Sequence, residues 1–312
     1  MRTLTTNEVR KGLVKHMNQV PRFGVITVQN LPWAEQVERW QFIETLGFDS
    51  VWVADHFVDP YEPNSPWFEG WTLLAALASQ TKRVRIGTLV SSIPLRNPAM
   101  LARQALTVDH ISNGRLELGL GTGIPWDPAY SMIGIDNWPP KERIARFREV
   151  VEIVDRCLRN KVTTYEGRYY QLKDAVMRPS PVQRPRPPIT IGATGQSMLE
   201  ITARYADTWN SVPGEWRAPL DTKLECTRRR NELLDEYCRE IGRDPQTLRR
   251  SVLVFGSEAE TVFHSTDAFA AVVKGYRDVG INEFIFYYPF KHEQIPVFEQ
   301  IAREVIPKLR AG

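Results

Sequence analysis

From about residue 23 to the C-terminus, short runs of consecutive apolar residues alternate with longer stretches in which apolar positions recur at helical spacing. Runs apolar at nearly every position suit strands buried on both faces, and their regular alternation with helices is the signature of a parallel α/β architecture. The pattern predicts strands at 23–29, 50–55, 84–91, 116–121, 189–193, 208–212, 251–256 and 283–288. It predicts helices at 34–46, 71–80, 98–111, 141–159, 197–205, 223–241, 268–279 and 294–309, with Gly47, Gly242 and Gly280 just past three helix ends. Eight strands and eight helices in strict order predict a (β/α)8 TIM barrel, in preference to a doubly wound open sheet. Residues 21–312 are expected to form a single domain, preceded by an N-terminal arm at 1–20.

Four links are long: 57–70, 122–140, 160–188 and 213–222. Loops that follow strands build the active face of such a barrel, so insertions there are functional candidates. Residues 163–171, centred on Gly167, predict an added β-hairpin, and 179–188 holds five prolines in ten residues, a stiff connector. No internal repeat beyond the βα unit is present.

Composition narrows the class. Of 312 residues 42% are hydrophobic and 25% charged, which supports a sizeable core, and 40 basic against 37 acidic residues leave a net charge of +3 with no basic concentration. No nucleic-acid partner is therefore expected. Cys157, Cys226 and Cys238 lack C-x-x-C spacing and the other histidines, His16, His110, His264 and His292, lack ligand spacing, so neither a disulfide framework nor a metal site is predicted. The first 20 residues carry no apolar signal core and no later segment approaches a membrane span, which predicts a cytoplasmic protein without membrane attachment.

Candidate chemistry gathers at strand ends. The second strand ends Asp55-His56-Phe57; a histidine at a barrel mouth handles protons near neutral pH or merely caps the strand. Adjacent strand residues point to opposite sides, so Asp55 need not touch His56. The fourth strand runs Gly119-Leu120-Gly121-Thr122-Gly123 but fails as a dinucleotide fingerprint, because Ile124 stands near the third glycine position and Pro125 where the helix should begin. Its glycines either leave the strand end bare for a flat ring or relieve crowding inside the barrel. After the fifth strand, Gly192-Ala193-Thr194-Gly195-Gln196-Ser197 leads into a helix whose first amides suit a phosphate, or form an ordinary turn. Ser91 and Ser92 after the third strand serve a ligand or cap the strand. Trp67, Phe68, Trp71, Trp126, Trp138 and Trp216, in or beside the long loops, are loop packing or together an apolar, water-excluding pocket.

In combination these segments resemble the luciferase-like family of flavin- and deazaflavin-dependent oxidoreductases. The resemblance is carried by 46–57, Arg96-Asn97-Pro98 with Ala102, Asp109-His110-Ile111-Ser112-Asn113-Gly114-Arg115, Gly119–Gly123, 143–149, 191–195 and 205–210. It implies a (β/α)8 barrel and homodimerisation. Asp55-His56-Phe57 is similar to members that use coenzyme F420, a deazaflavin; many FMN-using members have a glutamate and paired histidines there. The resemblance implies His56 as the catalytic proton donor or anion stabiliser and Asp55 near the cofactor ring. It further implies Ser92, Thr122, Gly123 and Asp127 lining the cofactor, with Gly195, Gln196, Met198 and Leu199 at its phosphate end. A cis peptide backing the ring would fall at Leu89–Val90. The expected reaction is hydride transfer between F420 and a small organic substrate, an alcohol, carbonyl or activated alkene; an FMN-dependent monooxygenase and a non-catalytic flavin-binding barrel are the alternatives. The sugar-phosphate activity of the glucose-6-phosphate dehydrogenase branch is not implied. That branch has glutamate after Gly-Thr-Gly, where this chain has Ile124, and tryptophan soon after Asp-His-Phe, where this chain has Val58-Asp59-Pro60.

Overall fold

A computed structural model of the chain describes residues 20–212 and 217–311. The predicted N-terminal arm, apart from Val20, and Trp216 lie outside the described residues. Eight parallel strands form the barrel: β1 Arg22–Thr27, β2 Ser50–Val53, β3 Arg85–Thr88, β4 Leu116–Gly121, β5 Ile189–Gly192, β6 Thr208–Ser211, β7 Arg249–Leu253 and β8 Glu283–Tyr287. The hydrogen-bonded order is β3-β2-β1-β8-β7-β6-β5-β4, closed by pairing of β3 with β4. The strands are covered on both faces: Val51, Ile86, Leu118, Ile189 and Ile285 have no exposed surface, and the polar strand residues Thr208, Asn210, Ser211, Arg250 and Ser251 are buried as well.

The helices between them are α1 Trp33–Thr45, α2 Gly70–Gln80, α3 Pro98–Ile111, α4 Pro140–Arg159, α5 Gln196–Tyr205, α6 Leu220–Glu240 and α7 Thr266–Asp278. Local sequence starts them. Asn97 Oδ1 accepts from the Ala99 and Met100 amides ahead of α3, where Pro98 needs no donor of its own. The final helix, expected to be continuous, is Ile295–Gln300, a π-helical turn Ile301–Val305 and Ile306–Ala311. Pro307 supplies the reason: without an N–H it cannot close a regular helical bond to the residue four earlier.

By chain proximity the described residues form two compact units. One comprises Thr27–Glu44 and Ser50–Gly192; the other takes in β1 as far as Ile26, Thr45–Asp49 and the chain from Ala193 onwards. In the first, the predicted hairpin is present as antiparallel strands Val162–Glu166 and Gln171–Val176. Its turn is fastened to α4 by Glu149, whose carboxylate accepts from the amides of Arg168, Tyr169 and Tyr170. The Asp109–Arg115 segment is a brace: buried Asp109 accepts from the Val182 and Gln183 amides, and Arg115 donates to Ala78, Thr81, Val84 and Ser112. In the second unit Phe23, Phe263, Phe269, Phe284 and Phe286 fill the core, with Phe23 stacked on Phe284 at 5.5 Å.

Candidate active site

The first unit carries a polar cluster where β2, β3 and β4 end. Beyond Val53 the chain turns outward under the control of Gln29, whose amide bonds both the N–H and the C=O of Ala54 and the carbonyl of Phe68. Asp55, 1% exposed, turns inward. Its carboxylate accepts from Arg96 through Nε at 3.0 Å and through Nη2, and from the Ser92 amide at 3.2 Å. Arg96 also reaches Glu69, which caps α2 by accepting from the Trp71 and Thr72 amides. Burial works to raise the Glu69 carboxyl, but hydrogen bonds from Thr72 and Arg96, with the arginine charge, outweigh it and hold it at about 2. Asp55 thus pins the end of β3 to the end of β2.

His56 points the other way, with 22% of its side chain exposed, and its Nδ1 lies 2.8 Å from Asp127 Oδ2. Asp127, with 2% of its side chain exposed, also accepts from the Ala129 amide through Oδ1 at 2.9 Å. Burial works to raise this carboxyl; the bonds from His56 and Ala129 and the His56 charge prevail and hold it below the ordinary carboxylate range. The Trp67 indole donates to the His56 carbonyl at 2.9 Å. A tryptophan therefore does reach His56, from later in the loop than the glucose-6-phosphate dehydrogenase pattern has it.

The Leu89–Val90 peptide is cis. After it, Ser91 and Ser92 resume pairing, opposite Leu120 and Gly121 of β4. The β4 glycines face this segment: a Cβ on Gly119 would lie 1.8 Å from the Thr88 carbonyl oxygen, and one on Gly121 would lie 2.3 Å from Val90 Cγ2. Of the two sequence readings the crowded interior is therefore correct for Gly119 and Gly121. The β4 glycines are thus covered, and the side chain left half-buried here is that of Val90.

Ser92 is 3% exposed, and its Oγ has no hydrogen-bond partner among the described residues. It sits against Gly123, whose φ of +75° is one that glycine alone adopts cheaply and whose Cβ would meet Ser92 Oγ at 2.7 Å. Thr122 and Gly123 are half-buried at the rim. They are held from behind by Arg143, 4% exposed, which donates to the Thr122 carbonyl and the Tyr130 hydroxyl, both at 2.8 Å. Tyr130 in turn donates to the Ile124 carbonyl. Arg96, Glu69, Tyr130 and Arg143 are the residues that sequence reasoning left out of the site. Arg96 and Arg143 lay within the resembling segments, but a polar residue at a helix start reads as ordinary helix chemistry.

In the second unit Gly195 and Gln196 are exposed at the start of α5, and a Cβ on Gly195 would meet nothing within 4 Å. Met198 and Leu199 have buried side chains, 7% and 1% exposed, and their amides donate to the Gly195 carbonyl. They brace the turn from behind.

The loop aromatics divide. Trp71 is buried and donates to Ser91 Oγ at 3.1 Å, and Trp138 stacks on the Arg146 guanidinium at 4.4 Å. Trp126, next to Asp127 in the chain, meets Tyr61 edge to face at 5.1 Å, both more than half exposed.

Comparison with known proteins agrees with this architecture. The chain is 30% identical to an F420-dependent glucose-6-phosphate dehydrogenase of Amycolatopsis mediterranei, in an alignment that covers 86% of this chain and 92% of the relative. An F420-dependent secondary alcohol dehydrogenase in complex with an F420-acetone adduct superposes with a TM-score of 0.79 at 20% identity, covering 92% of this chain and all of that one. The monooxygenase RslO1 from Streptomyces bottropensis superposes at 0.75 with 22% identity, covering 92% of this chain and 99% of that one. These two likenesses concern the fold. The family described as luciferase-like monooxygenase matches residues 16–299, nearly the whole described chain, and the protein belongs to that family.

Proposed function

We infer that the protein is an F420-dependent oxidoreductase that moves a hydride between the deazaflavin and a small organic substrate, an alcohol, carbonyl or activated alkene, with His56 managing the accompanying proton. The observation that carries this reading is the His56 imidazole, fixed at Nδ1 by a buried carboxylate and at its carbonyl by Trp67, at the mouth between the ends of β2 and β4. The relative's F420-dependent dehydrogenase activity supports the choice of cofactor.

The residues present fit such a group. Ser92 Oγ is a buried hydroxyl awaiting a partner, Val90 offers an apolar face, and the Thr122–Gly123 main chain is held open by Arg143. Within the second unit the exposed start of α5 at Gly195 and Gln196 is by itself suited to an anion, since first-turn amides and the helix dipole favour negative charge. When bound, the deazaflavin supplies a two-electron hydride acceptor or donor. The chain's own residues place the substrate, exclude water and hold the proton at His56.

The mouth departs from the sugar-phosphate branch: Tyr61 and Trp126 pair between the two loops that bear His56 and Asp127, and Ile124 follows Gly123. An apolar carbonyl or alcohol is the substrate class this favours. A small-molecule partner, no nucleic acid, a homodimer and a cytoplasmic location complete the reading, the last consistent with three free cysteines. No helix among the described residues is long and apolar enough to cross a membrane.

The test is reconstitution of the apoprotein with F420 and, separately, with FMN. Micromolar or tighter F420 binding, with substrate-dependent loss of its absorbance that disappears in His56→Ala, is the expected result. Tight FMN binding with oxygen-consuming turnover and no F420 binding would overturn it.

A further inference from the structure

We propose that Asp127 is the positioning residue of His56: it accepts a hydrogen bond from Nδ1–H, fixes one tautomer and leaves Nε2 as the atom that exchanges a proton with substrate. The proposal rests on the functional reading above for its chemistry and on geometry for the pairing itself.

An ionised carboxylate only accepts hydrogen bonds, so the 2.8 Å contact between Asp127 Oδ2 and His56 Nδ1 requires the proton on Nδ1. In neutral histidine Nε2 then holds a lone pair and acts as a base; in the cation it carries the second proton and acts as an acid. Asp127 has little freedom to do otherwise. Its Oδ1 accepts from the Ala129 amide, its own amide donates to the Ile124 carbonyl, and the Tyr130 amide donates to its carbonyl. The loop bearing it is tied to Arg143 through Thr122 and Tyr130.

The other titratable groups on the neighbouring segments are engaged elsewhere. Asp55 and Glu69 share Arg96, Asp59 accepts from the Tyr61 and Glu62 amides, and Tyr130 lies under Arg143. Asp127 is the carboxylate that addresses His56. The glucose-6-phosphate dehydrogenase branch, by resemblance, has a glutamate at the position of Ile124; here the acid stands three residues later and works through the imidazole. In alcohol oxidation the hydroxyl O–H bond breaks with its proton passing to Nε2, while the carbinol C–H bond breaks with its electron pair passing to the oxidised deazaflavin. Carbonyl reduction is the reverse.

The test is long-range 1H–15N correlation of the histidine rings in the cofactor-free protein at a pH where the imidazole is neutral, with His56 assigned by its loss in His56→Gln. Wild type is expected to show the Nδ1–H tautomer. In Asp127→Asn the amide can donate to Nδ1, and the tautomer moves to Nε2–H; Asp127→Glu retains Nδ1–H and shows that the loop still folds. With F420 and propan-2-ol or acetone as substrate, Asp127→Asn is expected to lower kcat by at least about a hundredfold, as wrong-tautomer variants of histidine enzymes do. A His56 ring that keeps Nδ1–H in Asp127→Asn, or is Nε2–H in wild type, overturns the proposal. If F420 is turned over by wild type with neither propan-2-ol nor acetone, the functional reading fails by itself, and the tautomer still decides the role of Asp127.

Discussion

Arg96 grips Asp55 with two guanidinium nitrogens, Nε on Oδ2 at 3.0 Å and Nη2 on Oδ1. The acid next to His56 in the chain is thereby held between the ends of β2 and β3. Asp55 is nearly inaccessible and Arg96 has only 15% of its side chain exposed, so neither charge is well solvated once its partner is removed. Deleting one member of a buried pair costs about 3–5 kcal/mol. Arg96→Met is therefore expected to lower the unfolding free energy by about 3 kcal/mol in urea denaturation. The double variant Asp55→Asn/Arg96→Met should lose less than the sum of the singles.

Acid stability follows from Glu69 and Asp127. Both carboxyls are held below their ordinary values in the folded protein, Glu69 at about 2. A group whose folded value is depressed contributes stability that is fully present above its unfolded value and lost as pH falls towards the folded one. The thermal midpoint should hold above about pH 5 and decline progressively towards pH 2, the window between ordinary carboxylate behaviour and the depressed values. Glu69→Gln should flatten part of that decline in scanning calorimetry, because its side chain no longer gains a proton there.

Ser92 separates the needs of the empty and the loaded protein. A buried hydroxyl with no partner costs about 1–3 kcal/mol, so Ser92→Ala is expected to leave the apoprotein as stable as wild type or more stable by about 1 kcal/mol. If the hydroxyl serves the deazaflavin, the same change weakens F420 binding by roughly tenfold, about 1.4 kcal/mol. Calorimetric titration with F420 beside apoprotein melting reads both.

Two glycines should behave oppositely. A methyl at Gly119 has no room against the Thr88 carbonyl oxygen, whereas one at Gly195 meets nothing within 4 Å. Gly119→Ala is expected to cost about 3 kcal/mol or more, and Gly195→Ala to stay within about 0.5 kcal/mol of wild type. Equal melting temperatures for the two variants would contradict the packing described at β3 and β4.

Arg143 supports the Thr122–Gly123 segment, the proposed cofactor rim, from behind. Replacing it with methionine leaves the Thr122 carbonyl and Tyr130 hydroxyl without their 2.8 Å donor. We expect Arg143→Met to weaken F420 binding by at least about tenfold, a loss of about 1.4 kcal/mol. Stopped-flow binding should assign most of it to faster dissociation.

The barrel was legible from sequence because it is written in local periodicity. Continuous apolar runs such as 116–121 and capped helices such as Pro98–Ile111 announce themselves within a dozen residues, and β4 and α3 have the predicted limits. Asp55-His56-Phe57 and the Gly195 turn stood out for the same reason, as chemistry placed at strand ends. What sequence left open was direction and partnership. Whether Gly119 faces a ring or a neighbouring carbonyl, and whether Asp55 or Asp127 serves His56, depends on which loop lies against which. Residues 56 and 127 are 71 apart in the chain, and their pairing exists only because β2 and β4 deliver their loops to the same end of the fold. The sequence by itself determined the elements, the family and the histidine. Only the tertiary structure decided which carboxylate holds that histidine, because a hydrogen bond between distant loops leaves no periodic trace in either.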